Sequence, residues 1–197
     1  RRETARALSR VAFELALERG VDGFTIAEVA SLSGFSRRTF ANHYSCKEQA
    51  IVGVVAERVR HALDSAPAAE GVPLLDWLRT VARQRLSEGL LHELRQLHRL
   101  AEDHPQLRPH LLEVQRAIRE SAREAVLARV DGAAGRLRAH LLVGAAYGAL
   151  TCVLEGHIPV RLPALAGESR DEGTDGEDEL TLEDFVDLTF SRLRDGF

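Results

Sequence analysis

The sequence predicts an all-α fold, with a three-helix unit at the N-terminus and a larger helical part after it. Apolar residues recur three and four apart along most of the 197 residues, and no stretch sustains the every-second-residue alternation of a half-buried strand. No internal repeat of about 20–50 residues is visible either.

The elements follow in order. A first helix is expected over 4–19, with Ala5, Leu8, Ala12, Leu15 and Ala16 on one face and Gly20 as its stop. A second covers Ile26–Leu32, opened by Thr25 and Glu28 in a capping-box pair, with Ile26, Val29 and Ala30 facing inward. Ser33, Gly34 and Phe35 make a turn, and Ser36 stands where it can N-cap a third helix reaching His43 or Tyr44. Phe40 and Tyr44, four apart, give that helix a buried stripe. Ser45 is placed to cap a longer fourth helix that carries Ile51, Val54, Val55, Arg58 and Val59 and runs through Leu63. Residues 65–73, SAPAAEGVP, read as a linker. Beyond it, helices are expected at 73–90, 91–103, 106–130, 136–157 and 181–195, broken by Pro105, Pro109 and residues 131–135. Residues 167–179 hold seven acids and one arginine and read as a solvated, mobile loop with no calcium-loop spacing.

Composition narrows the function classes. Hydrophobic residues at 45% and charged ones at 28% fit a soluble globular protein rather than a disordered one. No apolar run approaches the roughly 18–20 residues of a membrane span, and the opening RRETARALSR lacks a secretory core. A cytoplasmic location and no membrane partner are therefore expected. Met is absent even at position 1, so residues are expected to precede Arg1. Cys46 and Cys152 are too few for a disulfide framework or a zinc site, and no metal or cofactor is expected. His92, His98, His104 and His110 recur every six residues, about 600° around a helix, which scatters them over different faces.

Charge is distributed unevenly. Residues 1–61 carry ten basic and seven acidic side chains, a net of +3, although the whole chain is at −4. The remainder is therefore at −7, a polarity that suits a nucleic-acid head on a body kept off the polymer. The only lysine, Lys47, and the adjacent Arg37 and Arg38 fall at expected helix starts. Cations there oppose the helix dipole by several tenths of a kcal/mol each, a cost that a docked polyanion reverses.

Two short helices joined by a glycine-containing turn form a helix-turn-helix unit, whose second helix enters the major groove N-terminus first. Here that end offers Ser36, Arg37, Arg38, Thr39 and Asn42, with forks suited to guanine and an amide suited to adenine. Lys47 and the backbone at the start of the fourth helix can clamp a phosphate, and Thr25 can do the same at the second.

The run from Ala12 to Ala50 resembles the N-terminal domain of TetR-type transcriptional regulators. Gly20, Thr25, Val29-Ala30, Gly34-Phe35-Ser36, His43-Tyr44 and Lys47-Glu48 stand in that family's register, over about a quarter of the chain. The resemblance implies a DNA-binding domain over 1–46 and a helical effector-binding and dimerisation domain over 47–197, linked by the helix from 47 to about 63. It adds His43 to the DNA-binding set. Two positions depart from the pattern: Ala41 stands where an aromatic commonly touches the DNA backbone, and Arg38 where glycine is common.

Two arginine contacts supply about 2–6 kcal/mol of discrimination against the roughly 4–10 that a useful margin requires, so two heads on a palindrome are expected. Leu141, Gly144, Ala145 and Gly148 leave a small-residue face for close helix approach, and Phe185, Thr189, Phe190 and Leu193 form an apolar stripe on the last helix. The resemblance implies that both join a homodimer interface. It also implies a small-molecule pocket between central helices, for which Trp77, Val81, Leu94, His98, Leu111, Gln115, Ile118, Tyr147 and Thr151 are candidates and equally candidates for plain core. The function expected is a ligand-responsive dimeric regulator, a repressor released from its operator by a small molecule, and not an enzyme. The alternatives are a helical enzyme using central His, Glu and Arg residues, for which no phosphate loop or nucleophile motif is present, and a regulator with a protein effector or none.

Overall fold

A computed structural model describes residues 2–64, 71–85, 89–161 and 180–195. Among the described residues the order is α1 (Arg2–Arg19), a 3-10 turn (Val21–Gly23), α2 (Ile26–Leu32), α3 (Arg37–Ala41), α4 (Lys47–Asp64), α5 (Leu74–Arg85), α6 (Leu91–Asp103), a second 3-10 turn (Pro105–Leu107), α7 (Arg108–Leu127), α8 (Gly132–Leu154), β1 (Val160–Arg161), β2 (Leu180–Thr181) and α9 (Leu182–Asp195). The acidic loop 167–179 and most of the expected linker lie outside the described residues. The all-α expectation holds apart from a two-residue parallel pairing, Val160 opposite Leu180 and Arg161 opposite Thr181.

The chain divides into two compact units, residues 1–61 with 93–118, and residues 62–92 with 119–197. This differs from the boundary expected at residue 46, because most of α4, all but the start of α6 and the first half of α7 group with the N-terminal helices. The first unit holds fourteen basic and eleven acidic residues and the second twelve and nineteen, so the +3 and −7 polarity survives the redrawn division.

In the first unit α1 buries Leu8, Ala12, Leu15 and Ala16, as the periodicity requires, and adds Phe13. Gly20, at φ 74°, ends it in a conformation that glycine adopts without strain. Val29 and Ala30 of α2 and Phe40 of α3 are fully buried. Phe40 and Tyr44 stack at 5.8 Å with a 52° tilt, and the Tyr44 hydroxyl donates to the Ala5 carbonyl at 3.0 Å. Gly53 on α4 lies beneath that ring: a Cβ there would meet the Tyr44 oxygen at 2.9 Å.

In the second unit one cluster gathers Leu75, Leu91, Leu142, Val153, Val160, Leu182, Phe185, Val186 and Phe190. A second joins Trp77, Val126, Ala139 and Val143. Phe185 and Phe190, expected at a subunit contact, are thus committed to the core of their own unit, with Leu193 packed at its edge. Helix α8 starts at Gly132, not at 136, because the Ala-rich GAAG segment is helical rather than a break. Against expectation, α8 is long and apolar enough, by length and composition, to cross a membrane. Four of its residues, Ala139, Leu142, Val143 and Val153, are instead buried in the protein core.

The Tyr44 bond to α1 is a test of how the third helix is held. Tyr44→Phe removes one partly buried hydrogen bond while keeping the ring, and is expected to cost about 1 kcal/mol of unfolding free energy, measured by urea denaturation.

Candidate nucleic-acid interface

The second helix is set by its first residue. The Thr25 hydroxyl accepts from the Glu28 N–H at 3.3 Å, and the Glu28 carboxylate accepts from the Thr25 N–H at 2.8 Å, completing the capping box read from the sequence. The Thr25 backbone N–H, then its hydroxyl, then the guanidinium of Arg19 hold the Glu28 carboxyl below its usual range. The turn after α2 depends on Gly34 at φ 76°, with the Phe35 N–H returning to the Ala30 carbonyl at 2.8 Å. Ser36 then caps α3: its hydroxyl accepts from the Thr39 N–H at 3.1 Å and lies 2.9 Å from the Thr39 hydroxyl.

Helix α3 is five residues long and stops at Ala41, short of the expected His43 or Tyr44. The His43 and Tyr44 N–H groups both bond the Phe40 carbonyl, at 2.9 Å each, which tightens the end, and Asn42 becomes the C-cap. Arg37, Arg38 and Asn42 are exposed and Thr39 half-buried. Among the described residues neither guanidinium has a hydrogen-bond, ion-pair or ring partner. His43 is half-buried and lines a cleft of about 540 Å³ with Arg2, Tyr44 and His110, on the α1 and α7 side of the unit.

Lys47 departs from expectation. It does open α4, but its ammonium lies 3.7 Å from Asp22, 5.4 Å from the Phe24 ring centroid and 3.5 Å from the Phe24 carbonyl, leaving the side chain 22% exposed. It is not a free cation. Asp22 is 78% exposed, and a surface pair of this kind contributes about 0–1 kcal/mol, so a phosphate could displace the carboxylate. The cap of α4 differs too. Ser45 bonds the Gln49 side chain through its N–H at 2.7 Å and its hydroxyl at 3.0 Å, whereas the Cys46 sulfur accepts the Gln49 N–H at 3.4 Å.

The residues expected around an effector fall into both units. In the first, Leu94 and Leu111 are buried and Ile118 half-buried. His98 Nδ1 donates to the Leu94 carbonyl at 3.0 Å, which leaves Nε2 to accept from Gln115 at 3.1 Å, so both side chains are satisfied by their neighbours. In the second unit Trp77 is buried beneath the Arg129 guanidinium, 3.8 Å from its centroid, and Val81 packs nearby. Burial pushes the Tyr147 phenol up, against the lowering effect of Arg119, whose guanidinium stands 5.6 Å from its ring. The Thr151 hydroxyl bonds the Tyr147 carbonyl at 3.0 Å.

On α8, Leu141 is 64% exposed, Gly144 and Gly148 are exposed, and Ala145 is half-buried. An added Cβ on either glycine would meet nothing within 4 Å. Sequence reasoning missed Leu137, which is exposed, and Leu188 on α9, also exposed. The signal for Leu137 was its position four residues before Leu141 on the same face. On α9 Thr189 is half-buried.

Solved structures of this architecture exist. The chain matches a transcriptional regulator from Rhodococcus sp. Rha1 at a TM-score of 0.55 and 18% identity, covering 98% of this chain and 96% of that one. The fold is shared with solved TetR-family regulators. A regulator of the TetR/AcrR family from Thermobifida fusca matches at 0.53 and 16% identity, with 99% and 98% covered. The TetR-family repressor FadR from Thermus thermophilus, solved in complex with lauroyl-CoA, matches at 0.53 and 19% identity, with 100% and 95% covered. No protein-family model and no curated protein matches the sequence.

The capping box at the start of α2 carries a pH dependence. Because the folded state holds Glu28 below its ordinary value near 4.5, the box adds stability above that value and loses it as pH falls through the lower folded one. Acid denaturation curves are expected to show this slope in the wild type and a shallower one in Glu28→Gln.

Proposed function

We propose that the protein is a sequence-specific DNA-binding transcriptional regulator that works as a homodimer on a palindromic operator, most simply as a repressor released by a small molecule. The observation that carries this reading is the pair Arg37 and Arg38, exposed on the first turn of α3 and without an acidic partner among the described residues. An unpaired cation there is unfavourable for the helix and favourable once a duplex is present. Ser36, Thr39 and Asn42 lie on the same short element, Thr25 and Lys47 serve the phosphates, and His43 stands at its edge. Lys47 must leave Asp22 to do so.

Dimerisation is supported by α8. Leu137, Leu141, Gly144 and Gly148 follow one another at intervals of four, three and four, the spacing of a helix seam. Two large leucines are followed along it by two bare glycines, so knobs at one end are matched by open space at the other for a second copy. Charge supports the orientation of function: the DNA-facing unit is positive and the other negative. The similarity to a repressor crystallised with lauroyl-CoA supports a small-molecule effector, not its identity. Binding chromosomal DNA implies the compartment that holds it.

Duplexes selected from a random library should bind with a steep inverse dependence on salt. Arg37→Ala and Arg38→Ala are each expected to lose about 1–3 kcal/mol on the selected site and much less on random DNA, while Lys47→Ala weakens both alike and lowers the salt slope by about one. Equal losses from all three on every sequence would remove the division of roles. Leu141→Arg should weaken self-association by more than about 2 kcal/mol in sedimentation experiments while leaving the helical content intact, since it places a charge in a seam without a partner.

A further inference from the structure

Cys46 occupies the N-cap of α4, and its sulfur lies 3.5 Å from Nε2 of His110 on α7. On the far side of that ring, Nδ1 is buried without a hydrogen-bond partner among the described residues and stands 3.8 Å from the Glu113 carboxylate. A half-buried thiol, an imidazole within reach of its proton and a carboxylate behind the imidazole form a nucleophile–base–acid row. His110 and Glu113 also line the cleft of about 540 Å³, whose walls include the apolar Val52, Ala56 and Val114. The chain's other thiol, Cys152, belongs to the second unit and has no imidazole against its sulfur among the described residues.

We infer that Cys46 is a covalent modification site for small soft electrophiles of the α,β-unsaturated carbonyl class, which reach the sulfur from the cleft past Gln49 and His110, the two lining residues that touch it, and react once His110 has taken its proton. The Cys46 thiol proton passes to His110 Nε2, and the charge that results gives buried Nδ1 its ion-pair partner in Glu113. The sulfur lone pair forms a bond to the β-carbon, the alkene electrons move to the carbonyl as an enolate, and the enolate takes a proton back from the imidazolium. No oxidant or reductant is consumed. A one-thiol addition suits the site better than disulfide chemistry, because the first unit contains no second cysteine, and the apolar walls accommodate a carbon skeleton that a peroxide would not need.

The consequence for DNA rests on the reading given under Proposed function. The sulfur that would be alkylated accepts the Gln49 N–H at the start of α4, immediately before Lys47 and two residues after the Tyr44 anchor. A body attached there separates α4 from α7 and disturbs the support of α3.

The test uses the full chain and N-ethylmaleimide near neutral pH, read by intact mass and peptide mapping. Cys46 is expected to react at least about tenfold faster than Cys152, and His110→Gln to remove that advantage without altering the Cys152 rate. Equal rates at the two cysteines, or an unchanged Cys46 rate in His110→Gln, would overturn the assignment. Should His110→Gln unfold, seen as faster reaction at both cysteines, Glu113→Gln decides: a several-fold slower Cys46 supports the row and no change sinks it. In the DNA arm, alkylated wild type is expected to bind the selected duplex about tenfold more weakly, while Cys46→Ser, whose hydroxyl can still cap α4, binds normally with or without the reagent. Unimpaired binding by the alkylated wild type would remove the regulatory consequence. An untreated protein that binds no duplex at all would instead refute the proposed function and leave the reactivity result standing.

Discussion

A helix of five residues has no stability of its own in water, since nucleation alone fixes several dihedrals for a single hydrogen bond. Helix α3 therefore exists only because the rest of the first unit holds it. Phe40 is 1% exposed and acts as its anchor, the Ser36 hydroxyl satisfies an amide at its start, and two amides close on the Phe40 carbonyl at its end. Tyr44 then ties the segment to α1 through the Ala5 carbonyl, 39 residues away in sequence. Everything proposed for Arg37 and Arg38 depends on that scaffold, because their exposure and direction are consequences of where Phe40 is buried.

The same logic explains why cations can sit at unfavourable positions. The capping box at Thr25 and the serine cap at Ser36 satisfy the amides that acids would otherwise have stabilised, so the helix starts stay formed without anionic side chains at α3. Lys47 shows the limit of this arrangement. Left without a polyanion, its ammonium finds Asp22 and the face of Phe24. An exposed pair of that strength is a resting contact rather than a lock.

The second unit meets a different constraint. Helix α8 is apolar on more sides than its own unit can cover, and α9 turns Phe185 and Phe190 inward to form the core with Leu142 and Val153. The exposed residues of α8 include a seam of two leucines and two glycines alongside Arg136, Arg138 and His140. That seam is what the proposed homodimer rests on.

Much of this was legible in the sequence. Helix periodicity, the T-x-x-E box, Gly20, Gly34 and Ser36 are local signals, each acting within four residues, and they located α1, α2 and the start of α3 with little help from elsewhere. The small-residue character of α8 was equally local. Tertiary structure decided what spacing cannot encode: that Asp22 reaches Lys47, that Cys46 rather than Ser45 caps α4 and meets His110, that His98 and Gln115 satisfy each other, and that Phe185 and Phe190 serve a core. The physical reason is range. Capping and amphipathicity are properties of one segment, whereas the partner of a buried ring or a charged tip is chosen by whichever distant segment the packing brings within a few ångströms.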